Sequence, residues 1–261
     1  MSKTALVTGA SSGIGKALCL QLAAHGYDII GVSSDEAKLN AAAEEIRSKH
    51  GISVETIAED LSRDGAPQAV YDRVKASGKT IDVLVNDAGI GQGGLFAGTS
   101  LEKDIRAIRL NVEALVVLTK LFMRDMVDRN EGRIMDLGSI AGFQPGPLMA
   151  VYHATKAFVV SFSEALATEL KDMDTKVTVT CLCPGPTETH FFEGANIENS
   201  RAAQMTMDPN EVARTGYEAL EKGERVHIPG AQNKVMTFMR RVIPHSVQSR
   251  IGKKLYESRT E

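Results

Sequence analysis

Thr4–Val7 is an apolar run that passes directly into Thr8-Gly9-Ala10-Ser11-Ser12-Gly13-Ile14-Gly15, and helical periodicity begins inside that turn. A strand that enters a helix without a spacer commits its successor. The helix carries the chain back along the sheet, so the next strand lies parallel to the first. The chain repeats this unit: apolar runs from Asp28 to Val32, Val54 to Ile57, Ile81 to Val85, Arg133 to Leu137 and Val177 to Leu182 alternate with helical patterns. Those patterns cover 13–25, 35–49, 64–77, 101–129 and 151–171, the fourth broken near Asn111. The apolar runs carry little polar alternation, as strands covered by helices on both faces require. The prediction is an α/β fold, a doubly wound parallel sheet, in a single domain over residues 1–261.

Asp208-Pro209 reads as an N-cap with a first-turn proline, opening a helix to about Glu221, and Arg225 to Ile228 reads as a last strand. Residues 184–207 show little periodicity and are expected to form a loop over a site, with 186–207 as the substrate loop and 230–261 as a helical extension. A net charge of -3, with 43% hydrophobic and 24% charged residues, fits a globular protein without whole-molecule attraction to nucleic acid or anionic lipid. No leader and no apolar run of membrane-spanning length is visible, so a soluble, cytoplasmic protein is expected. Cys19 falls in a helix and Cys181 and Cys183 on one face of a strand, which suits reduced, packed thiols. The histidines are dispersed, so no metal is expected, and His153 reads as a wall residue.

The glycine turn suits a phosphate anion, because glycine allows close backbone approach and the helix N-terminus offers free amides and partial positive charge. By itself it fits a dinucleotide cradle or an ordinary glycine-rich turn. Its Gly-x-x-x-Gly-x-Gly spacing is accompanied by Asp60-Leu61, Asn86-Asp87-Ala88-Gly89, Asn111, Ser139, Tyr152-x-x-x-Lys156 and Pro184-Gly185. With these motifs residues 4 to about 190 resemble the short-chain dehydrogenase/reductase family. The resemblance implies a Rossmann fold and an NAD(P)-dependent oxidoreductase acting on a carbonyl or secondary alcohol.

Tyr152 and Lys156 stand four residues apart on one helix face, where an ammonium can stabilise a phenolate and lower its pKa. The resemblance implies Tyr152 as proton donor and Lys156 also as a ribose ligand. It further implies that Ser139 holds the substrate oxygen and that Asn111 seats a relay water. For the dinucleotide it implies Gly9, Ser11, Ser12, Gly13, Ile14 and Gly15 at the pyrophosphate, and Asp60, Leu61, Asn86, Ala88 and Gly89 on the adenosine side. Pro184, Gly185, Thr187 and Thr189 are implied on the nicotinamide side. The second strand ends Val32-Ser33-Ser34 without an acid, which favours NADP(H) over NAD(H) and places Ser33 and Ser34 at the 2′-phosphate, although no arginine follows. A catalytically silent nicotinamide-binding sensor is the alternative, and an epimerase or dehydratase on a related fold fits the glycine spacing less well.

Asp87 and Asp136 stand where the family commonly shows asparagine. Either they share a proton across neighbouring strands, or each accepts backbone amides separately. Phe96, Phe143, Leu148, Met149, Phe191 and Phe192, on the loops 91–96, 141–149 and 186–207, suggest a lipophilic ketone, aldehyde, steroid or 3-oxoacyl substrate. The resemblance also implies a homodimer or homotetramer through regions 111–129 and 151–171. The tail intersperses Lys234, Arg240, Arg241, Arg250, Lys253, Lys254 and Arg259 with Val235, Met236, Phe238, Met239, Val242 and Ile243. That pattern fits a lid over the substrate, a subunit contact or attachment to anionic membrane.

Overall fold

A computed structural model describes residues 2–239 and 243–257. Arg240, Arg241, Val242 and Arg259 of the tail lie outside the described residues. Among the described residues seven strands, β1 (Thr4–Thr8), β2 (Asp28–Ser33), β3 (Val54–Ala58), β4 (Val83–Asn86), β5 (Arg133–Leu137), β6 (Thr178–Leu182) and β7 (Val226–His227), form one sheet in the order β3-β2-β1-β4-β5-β6-β7. Every pairing is parallel. The chain winds one way from β1 to β3 and the other way from β4, so a crevice opens at the carboxyl ends of β1 and β4.

Strand periodicity divides the core into two layers. Ala5, Val7, Val83, Val85, Met135 and Leu137 face a cluster closed by Leu18 and Leu22 of α1 (Gly13–Ala24), Leu39 of α2 (Glu36–His50) and Val212 and Leu220. Leu6, Leu84 and Ile134, one residue out of phase, face the other layer with Val70 of α3 (Ala66–Ala76) and Phe122 and Met126. Each such fully buried side chain contributes roughly 1.5–3 kcal/mol.

The long pattern at 101–129 is α4 (Leu101–Ile108) and α5 (Leu115–Asp128), joined by a π-helical turn over Arg109–Ala114 that contains Asn111. Then follow α6 (Ala150–Asp172), the short α7 (Phe191–Gly194), α8 (Pro209–Lys222), α9 (Ala231–Met239) and α10 (His245–Tyr256). The Asp208 side chain caps α8 by accepting from the Asn210 amide at 2.8 Å, as its sequence suggests. Cys19, Cys181 and Cys183 are buried free thiols. Among the described residues no helix is long and apolar enough to cross a membrane.

Candidate active site

Gly9 and Gly13 adopt φ of +72° and +56°, in the left-handed region that suits glycine. A Cβ on Gly15 would fall 2.4 Å from the Gly9 carbonyl oxygen and 2.5 Å from Asp87 Oδ2, so the turn between β1 and α1 tolerates no side chain there. Ser12 makes no side-chain cap and the first turn of α1 carries no acid. The Gly15 amide of that turn is taken by Asp87, and Ser12, Gly13 and Ile14 open on the cavity. Ser11, Ser12, Gly13 and Ile14 line one side of a cavity of about 850 Å³, and Ser139, Tyr152 and Lys156 line it as well.

Ser139 sits past the end of β5, buried, where its Oγ accepts from the Ala141 amide at 3.1 Å and donates to the Pro184 carbonyl at 3.4 Å. Tyr152 lies in the first turn of α6, its ring tilted on Phe191 at 4.8 Å. Lys156 is buried; its Nζ donates to the Leu137 carbonyl at 2.6 Å and stands 5.8 Å from the Tyr152 ring centroid. Burial depresses the Lys156 pKa, with Asp87 acting against the shift. Burial also raises the Tyr152 phenol above its usual range, Tyr256 adds to that, and Ser139 partly offsets it by hydrogen bonding. The downward shift expected from the neighbouring ammonium is not seen; desolvation sets the direction of the shift.

Asn111 is buried in the π turn. Its Oδ1 accepts from the Ile90 amide at 2.9 Å, and its Nδ2 donates to the Ile90 carbonyl at 2.8 Å and to Thr155 Oγ1 at 3.1 Å. The side chain ties the loop after β4 to α6.

A family model described as short chain dehydrogenase matches residues 3–200. The chain belongs to the short-chain dehydrogenase family. It is 32% identical to a very-long-chain 3-oxoacyl-CoA reductase of Phaeosphaeria nodorum over 89% of this chain and 66% of the relative. It is 36% identical to mouse (Mus musculus) 17-beta-hydroxysteroid dehydrogenase type 3 over 66% of this chain and 56% of the relative. The chain thus spans between half and two thirds of the length of these relatives. Among solved structures, a short-chain dehydrogenase from Sphingobium yanoikuyae in complex with NADPH superposes with a TM-score of 0.80 at 32% identity, covering 92% of this chain and 94% of the other.

Within this short-chain dehydrogenase the expected cofactor residues divide. Gly9, Ser11, Ser12, Gly13, Ile14, Ala88, Gly89, Pro184, Gly185, Thr187 and Thr189 line the cavity together with Tyr152 and Lys156. Gly15, Ser33, Ser34, Asp60, Leu61 and Asn86 are not part of that lining. Ser33 Oγ is 2.8 Å from Ser11 Oγ. Asp60 accepts from the Ser62 hydroxyl and, at 3.0 Å, from Arg106; these contacts outweigh burial and keep its carboxyl below the usual range. Leu61 is buried in the core. Asn86 points inward and donates to Thr119 Oγ1 and Asp136 Oδ1, both at 2.9 Å.

Asp87 and Asp136 do not share a proton. Asp136 accepts from Asn86 and from Ser163 Oγ, the latter at 2.9 Å, whereas Asp87 turns to the glycine loop and accepts from the Gly15 amide. Register explains the separation, because Asn86 rather than Asp87 is the Cα partner of Asp136. Burial raises both carboxyls, Asp87 to about 7.

Phe191 and Phe192 line the cavity as expected, with buried Met149 packed on Phe192. Phe96 is instead 66% exposed, and Phe143 packs on Val159 and Cys183. Of the three readings of the tail, the lid is the one that accords with the cavity wall, which includes Met236, named from the sequence, and Gln232, Asn233, Leu255 and Tyr256, which were not. Sequence reasoning also passed over the bond that His153 makes, buried with its Nε2 3.0 Å from Tyr256 Oη. Amphipathic spacing in the tail was the available signal, and it left a substrate lid, a subunit contact and a membrane surface open.

Proposed function

We propose that this chain is an NAD(P)-dependent oxidoreductase that interconverts a carbonyl and a secondary alcohol. The observation that carries the reading is the convergence of Ser139, Tyr152 and Lys156 on the cavity that also exposes the glycine loop, where the sheet reverses its winding. A bound nicotinamide supplies or accepts the hydride. The Ser139 hydroxyl lines the same cavity and is the group assigned to hold the substrate oxygen. Tyr152 is a neutral phenol at neutral pH, the protonation state required of a donor, and burial moves it further from ionisation. Lys156 lowers the cost of the phenolate left after transfer. Phe191, packed on the Tyr152 ring, and Phe192 give the cavity an apolar wall beside these groups.

We infer a preference for NADP(H). No carboxylate ends β2, and Asp35 is engaged as the cap of α2, accepting from the Lys38 amide at 3.0 Å. Among the solved relatives the Sphingobium enzyme is in complex with NADPH and one from Burkholderia phymatum with NAD, so the reading rests on the end of β2. The apolar loop residues, together with relatives named for 3-oxoacyl-CoA and a 17-beta-hydroxysteroid, favour a lipophilic ketone. Exposed Phe158 on α6, within the expected region 151–171, and exposed Ile105 and Ile108 on α4 favour a homo-oligomer, whereas among the described residues the expected region 111–129 carries no exposed large apolar side chain.

The test follows nicotinamide absorbance with NADPH and NADH across steroid ketones, long 3-oxoacyl thioesters and short polar ketones. Turnover of the lipophilic ketones with NADPH is expected. Preference for NADH would overturn the cofactor assignment, and dinucleotide binding without any turnover would favour a silent sensor.

A further inference from the structure

The tail returns to the cavity through a specific joint. Tyr256 Oη lies 3.0 Å from His153 Nε2, and His153 Nδ1 lies 3.0 Å from the Gln144 carbonyl oxygen. A carbonyl only accepts, so Nδ1 carries the proton; in the neutral ring Nε2 is then the acceptor and the Tyr256 hydroxyl donates to it. The two rings meet edge to face at 5.5 Å. The loop beneath is shaped for them: a Cβ on Gly146 would fall 2.1 Å from His153 Cδ2, so the backbone lies flat against the imidazole. A Cβ on Gly252, one turn before Tyr256, would meet the Pro145 carbonyl at 3.4 Å, so α10 rests on the same loop. Val247 and Ile251 of α10 remain exposed. Tyr256 joins Tyr152 and Phe191 in packing against the apolar cluster of Met149 and Phe192.

We propose that Tyr256 is a specificity-determining residue: its ring completes the apolar wall beside Tyr152, and its bond to His153 holds α10 in place as the boundary that sets how large a ketone enters. The proposal rests on the carbonyl-reducing reading above. It gives His153 a positioning role, acting through Tyr256.

Three variants of the full chain test it, Tyr256→Phe, Tyr256→Ala and His153→Asn, with methyl ketones of increasing chain length and hydrogen exchange along α10. Tyr256→Phe keeps the ring and loses the bond. It should speed exchange in α10 and raise the KM for long ketones roughly three- to tenfold, with kcat and NADPH affinity within about twofold. Tyr256→Ala should move the chain-length optimum upward, and His153→Asn should speed exchange in α10 at least as much as Tyr256→Phe. Unchanged α10 exchange in Tyr256→Phe, or an unchanged chain-length profile in Tyr256→Ala, would overturn the proposal. If wild type reduces no ketone, the functional reading fails separately. Exchange in α10, and its protection by a long methyl ketone, then decides the joint: faster exchange in Tyr256→Phe and lost protection in Tyr256→Ala support it, and wild-type behaviour in both overturns it.

Discussion

Burial is the largest influence on Asp87 and lifts its carboxyl to about 7, against the charge of Lys156 and the amide of Gly15. An acid whose folded pKa exceeds its unfolded value, 3.8 here, holds its proton more tightly when folded. Its contribution is complete below the unfolded value and is lost as pH rises through the folded one. The shift corresponds to on the order of 4 kcal/mol. Asp87→Asn keeps the size and removes the titration. The urea midpoint of wild type should therefore fall relative to the variant between about pH 4 and about pH 8, and parallel profiles would show that this carboxyl does not titrate in the folded chain.

The strand, turn and helix at residues 4–24 depend on glycines with no room for a Cβ. Gly9 holds φ at +72°, and a Cβ there would fall 2.6 Å from Asp87 Oδ2. Gly9→Ala should cost roughly 1–3 kcal/mol of stability and weaken NADPH binding more than tenfold; a melting temperature and a binding titration check both, and wild-type affinity would contradict the cradle. Elements were legible where the signal is local. Strands covered on both faces show as apolar runs, and Asp208-Pro209 marks the start of α8. The break at Asn111 was visible, but its tie to Ile90, 21 residues away, was not, because it is a tertiary contact.

At the scale of the molecule, exposed Phe158, stacked on Phe162 at 5.5 Å, marks an apolar face on α6. Phe158→Glu should shift the protein toward monomer in light scattering, and an unchanged mass would remove that face from the assembly. The glycine loop, Ser139, Tyr152 and Lys156 were legible because their types and spacing carry the chemistry. The directions of Asn86 and Asp87 were not, since strand register decides which of two neighbours faces the core. Nor was the joint of Tyr256 to His153, made across 103 residues. The most direct test of the catalytic claim is a single-turnover measurement of NADPH oxidation by a lipophilic ketone in wild type and Tyr152→Phe, with NADPH affinity measured in parallel. The expected result is a rate lower by roughly a hundredfold or more with affinity within about twofold. A variant that keeps most of the wild-type rate would contradict Tyr152 as the proton donor.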